Sequence, residues 1–141
     1  MALFFRVSIC VLTVFLLNCE NENAGTIAGD NSPSWVGTNR EFEDQFQIET
    51  DALNSTTLIN SHTKSRFEGL LVTEDLNTSK QKRYKDGKLN GLSVFSSKDG
   101  SRVEAHYQNG VLHGKMIMYD NENKVRSVIN YENGAVVQIL E

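Results

Sequence analysis

Hydrophobic and polar positions divide the chain into one apolar run, one polar stretch and a series of short alternating runs. Val7 to Leu17 is eleven residues without a charge. Residues 20–39 are small, polar and turn-forming, with no sustained period of 2 or 3.6; the apolar pair Trp35-Val36 stands out in them. Farther on, Leu92-Ser-Val94-Phe-Ser runs into Lys98-Asp-Gly100, and Val103-Glu-Ala105-His-Tyr107 alternates. Met116-Ile-Met118-Tyr119 runs into Asp120-Asn-Glu-Asn123. Val125 to Tyr131 and Ala135 to Leu140 follow. Short runs of period 2, spaced 8–12 residues apart by Gly/Asn/Asp turns, predict strands of an all-β meander. Strands joined by such tight turns are antiparallel neighbours.

The segment 40–54 carries two patterns. Phe42, Phe46 and Leu53 fall on one helical stripe, whereas Phe46 and Ile48 alternate as in a strand. A short helix or an irregular piece packed on the sheet is expected. The predicted organisation is residues 1–18 as a signal peptide, 19–39 as a flexible tether, 40–66 as a capping segment and 67–141 as the repeat domain.

Three segments repeat. Tyr84-Lys-Asp-Gly87-Lys-Leu-Asn-Gly91, Tyr107-Gln-Asn-Gly110-Val-Leu-His-Gly114 and Tyr131-Glu-Asn-Gly134-Ala-Val-Val137 align at intervals of 23 and 24 residues. A fainter copy, Phe67-Glu-Gly69-Leu-Leu-Val, stands upstream. Asp-Gly and Asn-Gly mark tight hairpins because such turns need positive φ, which glycine adopts without a Cβ clash. A tyrosine at one place in each unit predicts a ladder of stacked rings along one face of the sheet.

These residues resemble the MORN-variant repeats of bacteria, in which Tyr-x-Asn/Asp-Gly-x-x-x-Gly recurs about every 23 residues along an open antiparallel β-meander. Proteins of this kind are often labelled antitoxins of the YwqK type. The resemblance covers residues 67–137 and is carried by Tyr84, Gly87, Gly91, Tyr107, Gly110, Gly114, Tyr131 and Gly134. The third unit departs from it, with Gln138 at its second glycine position. A degraded last unit is usual for a capping repeat.

The apolar run at the start reads as an address. Arg6 and the amino terminus supply positive charge, and eleven uncharged residues suit a secretory h-region rather than a span of about 20. Leu16-Leu17-Asn18-Cys19 resembles the lipobox of bacterial lipoproteins, although Asn18 stands where Gly, Ala or Ser is usual. That resemblance implies cleavage before Cys19 and acylation of its thiol, which would anchor the chain stably if more than one acyl chain is attached. An ordinary signal cut near Ala24, giving a secreted protein, and an uncleaved anchor are the other readings.

Composition narrows the function classes. With 14 Lys and Arg against 18 Asp and Glu, the net charge is −4, which argues against a phosphate-seeking nucleic-acid binder. Two cysteines exclude a disulfide-stapled scaffold and a Cys-rich zinc fold. Cys10 lies in the h-region and Cys19 is the lipidation candidate, so no thiol chemistry is expected of the mature chain. Acidic charge gathers ahead of the repeats: residues 19–66 hold 8 acids and 3 bases, whereas 67–141 hold 10 of each.

No catalytic or metal constellation is legible, and no cofactor is expected. His62, His106 and His113 form no ligand-spaced pair. His113 occupies the repeat position of Asn90, as a turn residue would, and no Gly-x-Ser-x-Gly elbow is present. The basic run Lys80-Gln-Lys82-Arg83-Tyr84-Lys85 reads as the solvated face of an edge strand. The closing strand 136–140 carries no charge, so its edge is expected to pair with another copy, a partner strand or residues 40–66. The function expected is that of an exported, lipid-anchored, non-catalytic binding or scaffolding module at the bacterial cell envelope. An antitoxin-like partner and an envelope enzyme acting on glycan or peptide are the alternatives.

Overall fold

The computed structural model describes residues 35–52 and 54–140, so the readings at Cys19 and Leu53 lie outside the described residues. Within them the chain is mostly β, with one short helix, and its main sheet is open. The elements are β1 (Trp35–Gly37), α1 (Asn39–Gln45), β2 (Phe46–Thr50), β3 (Thr56–Asn60), β4 (Gly69–Glu74), β5 (Thr78–Lys85), β6 (Lys88–Leu89), β7 (Gly91–Ser97), β8 (Arg102–Gln108), β9 (Val111–Tyr119), β10 (Val125–Glu132) and β11 (Ala135–Leu140). The main sheet runs β1-β4-β5-β7-β8-β9-β10-β11, with β6 also paired to β5, and every pairing except β1-β4 is antiparallel. This is the all-β open meander that the alternation predicts.

Period 2 fixes what each face carries. Cross-strand pairing places Leu71, Tyr84, Phe95, Val103, Ala105, Tyr107, Met116, Met118, Ile129, Tyr131 and Ile139 on one face. Arg83, Val94, Glu104, His106, Ile117 and Val128 lie on the other. The first face is covered only at its β4–β5 end. There Phe46, Leu58, Leu71 and Tyr84 form the core, with Trp35, Phe42, Phe67 and Leu89 packed against them. Rings meet in a run from Trp35 through Phe42, Phe46 and Phe67 to Tyr84, with centroids 5.3–6.2 Å apart.

Several expectations are corrected by long-range pairing. Trp35–Gly37, placed in the tether by its polar surroundings, is a strand parallel to β4, with Trp35 opposite Leu71. The indole Nε1–H donates to Gln45 Oε1 at 2.9 Å, whereas Val36 stays exposed on the opposite face. The two patterns in 40–54 are both expressed, in sequence. Thr38 caps α1 in a capping box with Glu41, and at Phe46 the backbone turns extended and starts β2. The hairpin β2-β3 forms a separate two-stranded sheet.

The basic run sits on β5, which is interior, hydrogen-bonded to β4 on one side and β7 on the other. Its lysines do not protect an edge; their stems lie over a sheet surface. Residues 40–66 belong with β4–β6, at the far end of the sheet from β11, so they are not the neighbour of the closing strand. The repeated tyrosines do not stack on one another either. Tyr84, Tyr107 and Tyr131 sit on alternate strands, β5, β8 and β10, with β7 or β9 between, a separation of about 9–10 Å. Among the described residues the ring contacts end at Tyr84.

Candidate functional site

The repeat closes through a corner that is built the same way each time. Asp86-Gly87, Asn109-Gly110 and Asn133-Gly134 all have positive φ, at 52° and 74°, 51° and 90°, and 49° and 84°. That pair of left-handed residues is the tight hairpin turn whose twist matches the strands. The corner glycine then bonds to the unit before it. Gly87 N–H donates to Phe67 C=O at 2.9 Å, Gly110 N–H to Leu89 C=O at 2.8 Å, and Gly134 N–H to Leu112 C=O at 2.8 Å.

A side chain next to each accepting carbonyl captures the neighbouring corner amide. Glu68 Oε2 accepts from Asp86 N–H at 2.7 Å, Asn90 Oδ1 from Asn109 N–H at 3.2 Å, and His113 Nδ1 from Asn133 N–H at 3.4 Å. A carboxylate, an amide and an imidazole thus do one job, because the job needs only an acceptor at that place. This assigns His113 to the corner. The following glycines, Gly69, Gly91 and Gly114, hold φ of 109°, 97° and 101° and lie directly opposite Tyr84, Tyr107 and Tyr131. Each tyrosine therefore stands where the facing strand has no side chain.

Burial grades along this series. Tyr84, under the cap, is 9% exposed, and its phenol is pushed up to about 12, chiefly by burial and secondly by Tyr107. Tyr107 is also raised, by burial and then by Tyr131. The ring positions thus lead from the enclosed core out onto an open sheet face.

The opposite ends of the hairpins are polar. Asp99 accepts from Ser101 Oγ at 2.6 Å and from its N–H at 2.9 Å, which holds its carboxyl below the usual range. Asp120 is lowered chiefly by the Lys124 N–H, with Glu122 N–H and Arg126 adding to it. These acids are engaged in closing turns. On the face away from the core, Arg102 donates Nε–H to Glu104 Oε1 at 2.9 Å and lies 3.7 Å over the Tyr119 ring, while Tyr119 Oη donates to Glu104 Oε2 at 3.3 Å. Sequence reasoning missed this cluster, although Arg102 and Glu104, two apart in an alternating run, necessarily share a face.

The remaining histidines are accounted for locally. His106 Nδ1 lies 3.3 Å from Lys115 C=O, and His62 sits in a turn where its N–H donates to Asn60 Oδ1 at 3.0 Å. Among the described residues no group of three or more His, Cys, Asp or Glu side chains is placed to hold a metal ion, and no helix is long and apolar enough to cross a membrane.

The closing strand differs from all others. All six residues of β11 are exposed, with Val136, Val137, Ile139 and Leu140 at 48–59%, and its outer edge has no neighbour among the described residues. The arrangement offers one open apolar sheet face, one uncharged strand edge and a set of structurally engaged polar groups. No family model and no curated protein matches the chain.

Proposed function

We propose that this chain is an exported, lipid-anchored repeat protein of the MORN-variant type, acting as a non-catalytic binding or scaffolding module at the bacterial cell envelope. One observation carries the reading: the same corner recurs three times and builds a largely single-layered sheet, whose surface area serves display rather than enclosure. Polar side chains that chemistry would need, His113, Glu68, Asp99 and Asp120, are spent on closing corners and turns. Support for the anchor is the Leu16-Leu17-Asn18-Cys19 sequence and the acidic, polar stretch after it, which suits a spacer repelled by an anionic lipid surface.

The test is the intact mass of the protein extracted from membranes, together with its Cys19→Ser variant. The expected mass is that of a chain starting at Cys19 plus acyl groups, with the variant released from the membrane fraction. An unmodified thiol at Cys19, or a variant that remains equally membrane-bound, removes the anchor from the proposal.

A further inference from the structure

We infer that the partner of β11 is β11 of a second copy, paired antiparallel about a two-fold axis with Gln138 facing its own counterpart. The inference deepens the scaffold reading by naming a partner, and rests on it only for the sheet's role as a binding module.

Neither the opposite edge of the main sheet nor β3 matches the need. The opposite edge of the main sheet is β1, three residues long and followed at once by the capped helix that carries the chain away. β3 already uses its outer backbone: Leu58 N–H donates to Gly87 C=O at 2.7 Å, and Phe67 N–H donates to Leu58 C=O at 3.0 Å. β11 offers six exposed residues, with no lysine, no proline and no covering loop among the described residues, so within them it lacks the usual devices against edge pairing. The outer edge of β11 corresponds in the repeat to the edges of β7 and β9, and both of those pair with an antiparallel strand. A second β11 supplies a strand of equal length and of that direction.

Self-pairing also satisfies the side chains. A two-fold axis normal to the sheet keeps each side chain on its own face, so only same-face residues can meet. With Gln138 on the axis, Val137 meets Ile139 of the other copy, so the two most exposed apolar residues of the strand find apolar partners; the bulge opposite Tyr131 puts Val136 on the face of Tyr131 and Leu140 on that of Val128, so those two do not pair. Gln138 Oε1 already accepts from Asn130 Nδ2 at 3.0 Å, which leaves a second lone pair and two N–H groups for the facing amide. A primary amide is self-complementary, and no like charges oppose across the axis. A strand pair of this length falls short of the roughly 1,000 Å² that a stable free-standing interface clears, so the dimer is concentration-dependent. Confinement at a surface raises the effective concentration and favours it.

The full chain is tested by sedimentation equilibrium and by cross-linking. Association should strengthen with concentration, and the double variant Val137→Lys, Ile139→Lys should weaken it at least about tenfold with an unchanged circular dichroism spectrum. In a Cys10→Ser, Cys19→Ser background, Gln138→Cys should oxidise to a covalent dimer, because directly opposed Cα atoms lie within disulfide reach; Lys98→Cys, on a distant turn, should not. A chain that stays monomeric up to about 1 mM overturns the inference. So does a dimer indifferent to the two lysines, or one without the Gln138→Cys cross-link. Because the cross-linking background has no lipidation site, failure of the anchor leaves this result readable on its own.

Discussion

Tyr107 lies directly opposite Gly91 across the β7–β8 ladder, where Gly91 holds φ at 97°. The same relationship links Tyr84 to Gly69 and Tyr131 to Gly114. The glycine gives the backbone its left-handed step opposite the tyrosine, and a Cβ there would point toward Arg83 from Gly91 and toward His106 from Gly114. The recurring tyrosine and the recurring second glycine are thus two halves of one structural unit.

Alanine at the glycines should separate strain from crowding. Gly134→Ala meets nothing within 4 Å, so only its φ of 84° is penalised, at a cost of about 1–2 kcal/mol. Gly91→Ala adds a contact 3.3 Å from Arg83 Cδ, the movable end of a side chain, and should cost slightly more. Gly87→Ala would bring its Cβ to 2.5 Å from Thr57 Cγ2 and 2.8 Å from the Leu58 carbonyl oxygen, and should cost the most. Urea unfolding midpoints should fall in the order Gly134, Gly91, Gly87.

Alkaline pH should destabilise the fold through Tyr84. Its phenol titrates at about 12 when folded against an ordinary value near 10, because the core disfavours phenolate. The unfolded chain therefore loses its proton first. The contribution is fully present below about pH 10 and is lost as pH rises to 12, amounting to about 2–3 kcal/mol. Tyr84→Phe should flatten the fall in unfolding free energy across that window, with the residual slope reflecting Tyr107, which is also raised.

On the face that carries Leu71, burial of large side chains should prove confined to one end of the sheet. Leu71 is 2% exposed beneath Trp35 and the cap, so Leu71→Ala should cost about 2–5 kcal/mol. Ile139 is 59% exposed on the same face, and Ile139→Ala should change a monomer's stability by under about 0.5 kcal/mol. Trp35 fluorescence, the chain's single indole, reports both in chemical denaturation.

Removing the charge of Lys82 should stabilise the sheet slightly. Its ammonium is lowered by burial and then by Lys80 on the same face. The unfolded chain binds that proton more tightly, so the penalty is present while the lysine is charged and fades as pH rises toward the ordinary lysine value. Lys82→Met keeps the stem that covers the sheet and should raise the unfolding free energy at pH 7 by about a few tenths of a kcal/mol, with partial exposure limiting the gain. A lower value would show that the ammonium is favourably placed.

What is local in this fold is legible along the chain. Alternation set which residues share a face, and Asn-Gly and Asp-Gly set the corners, because φ preference and side-chain period act within a few residues. The strands from Gly91 to Leu140 are legible on those grounds. The remaining features depend on residues far apart in the chain. Trp35 becomes a strand because Leu71 gives it a partner 36 residues away. The basic run is interior because β7 closes its second side, and the core lies at one end because α1 and the β2–β3 hairpin fold over that end alone. His113 is a corner acceptor because Asn133 arrives beside it. Contacts between distant residues reward chain closure only once both partners are in place, and no window of sequence contains both.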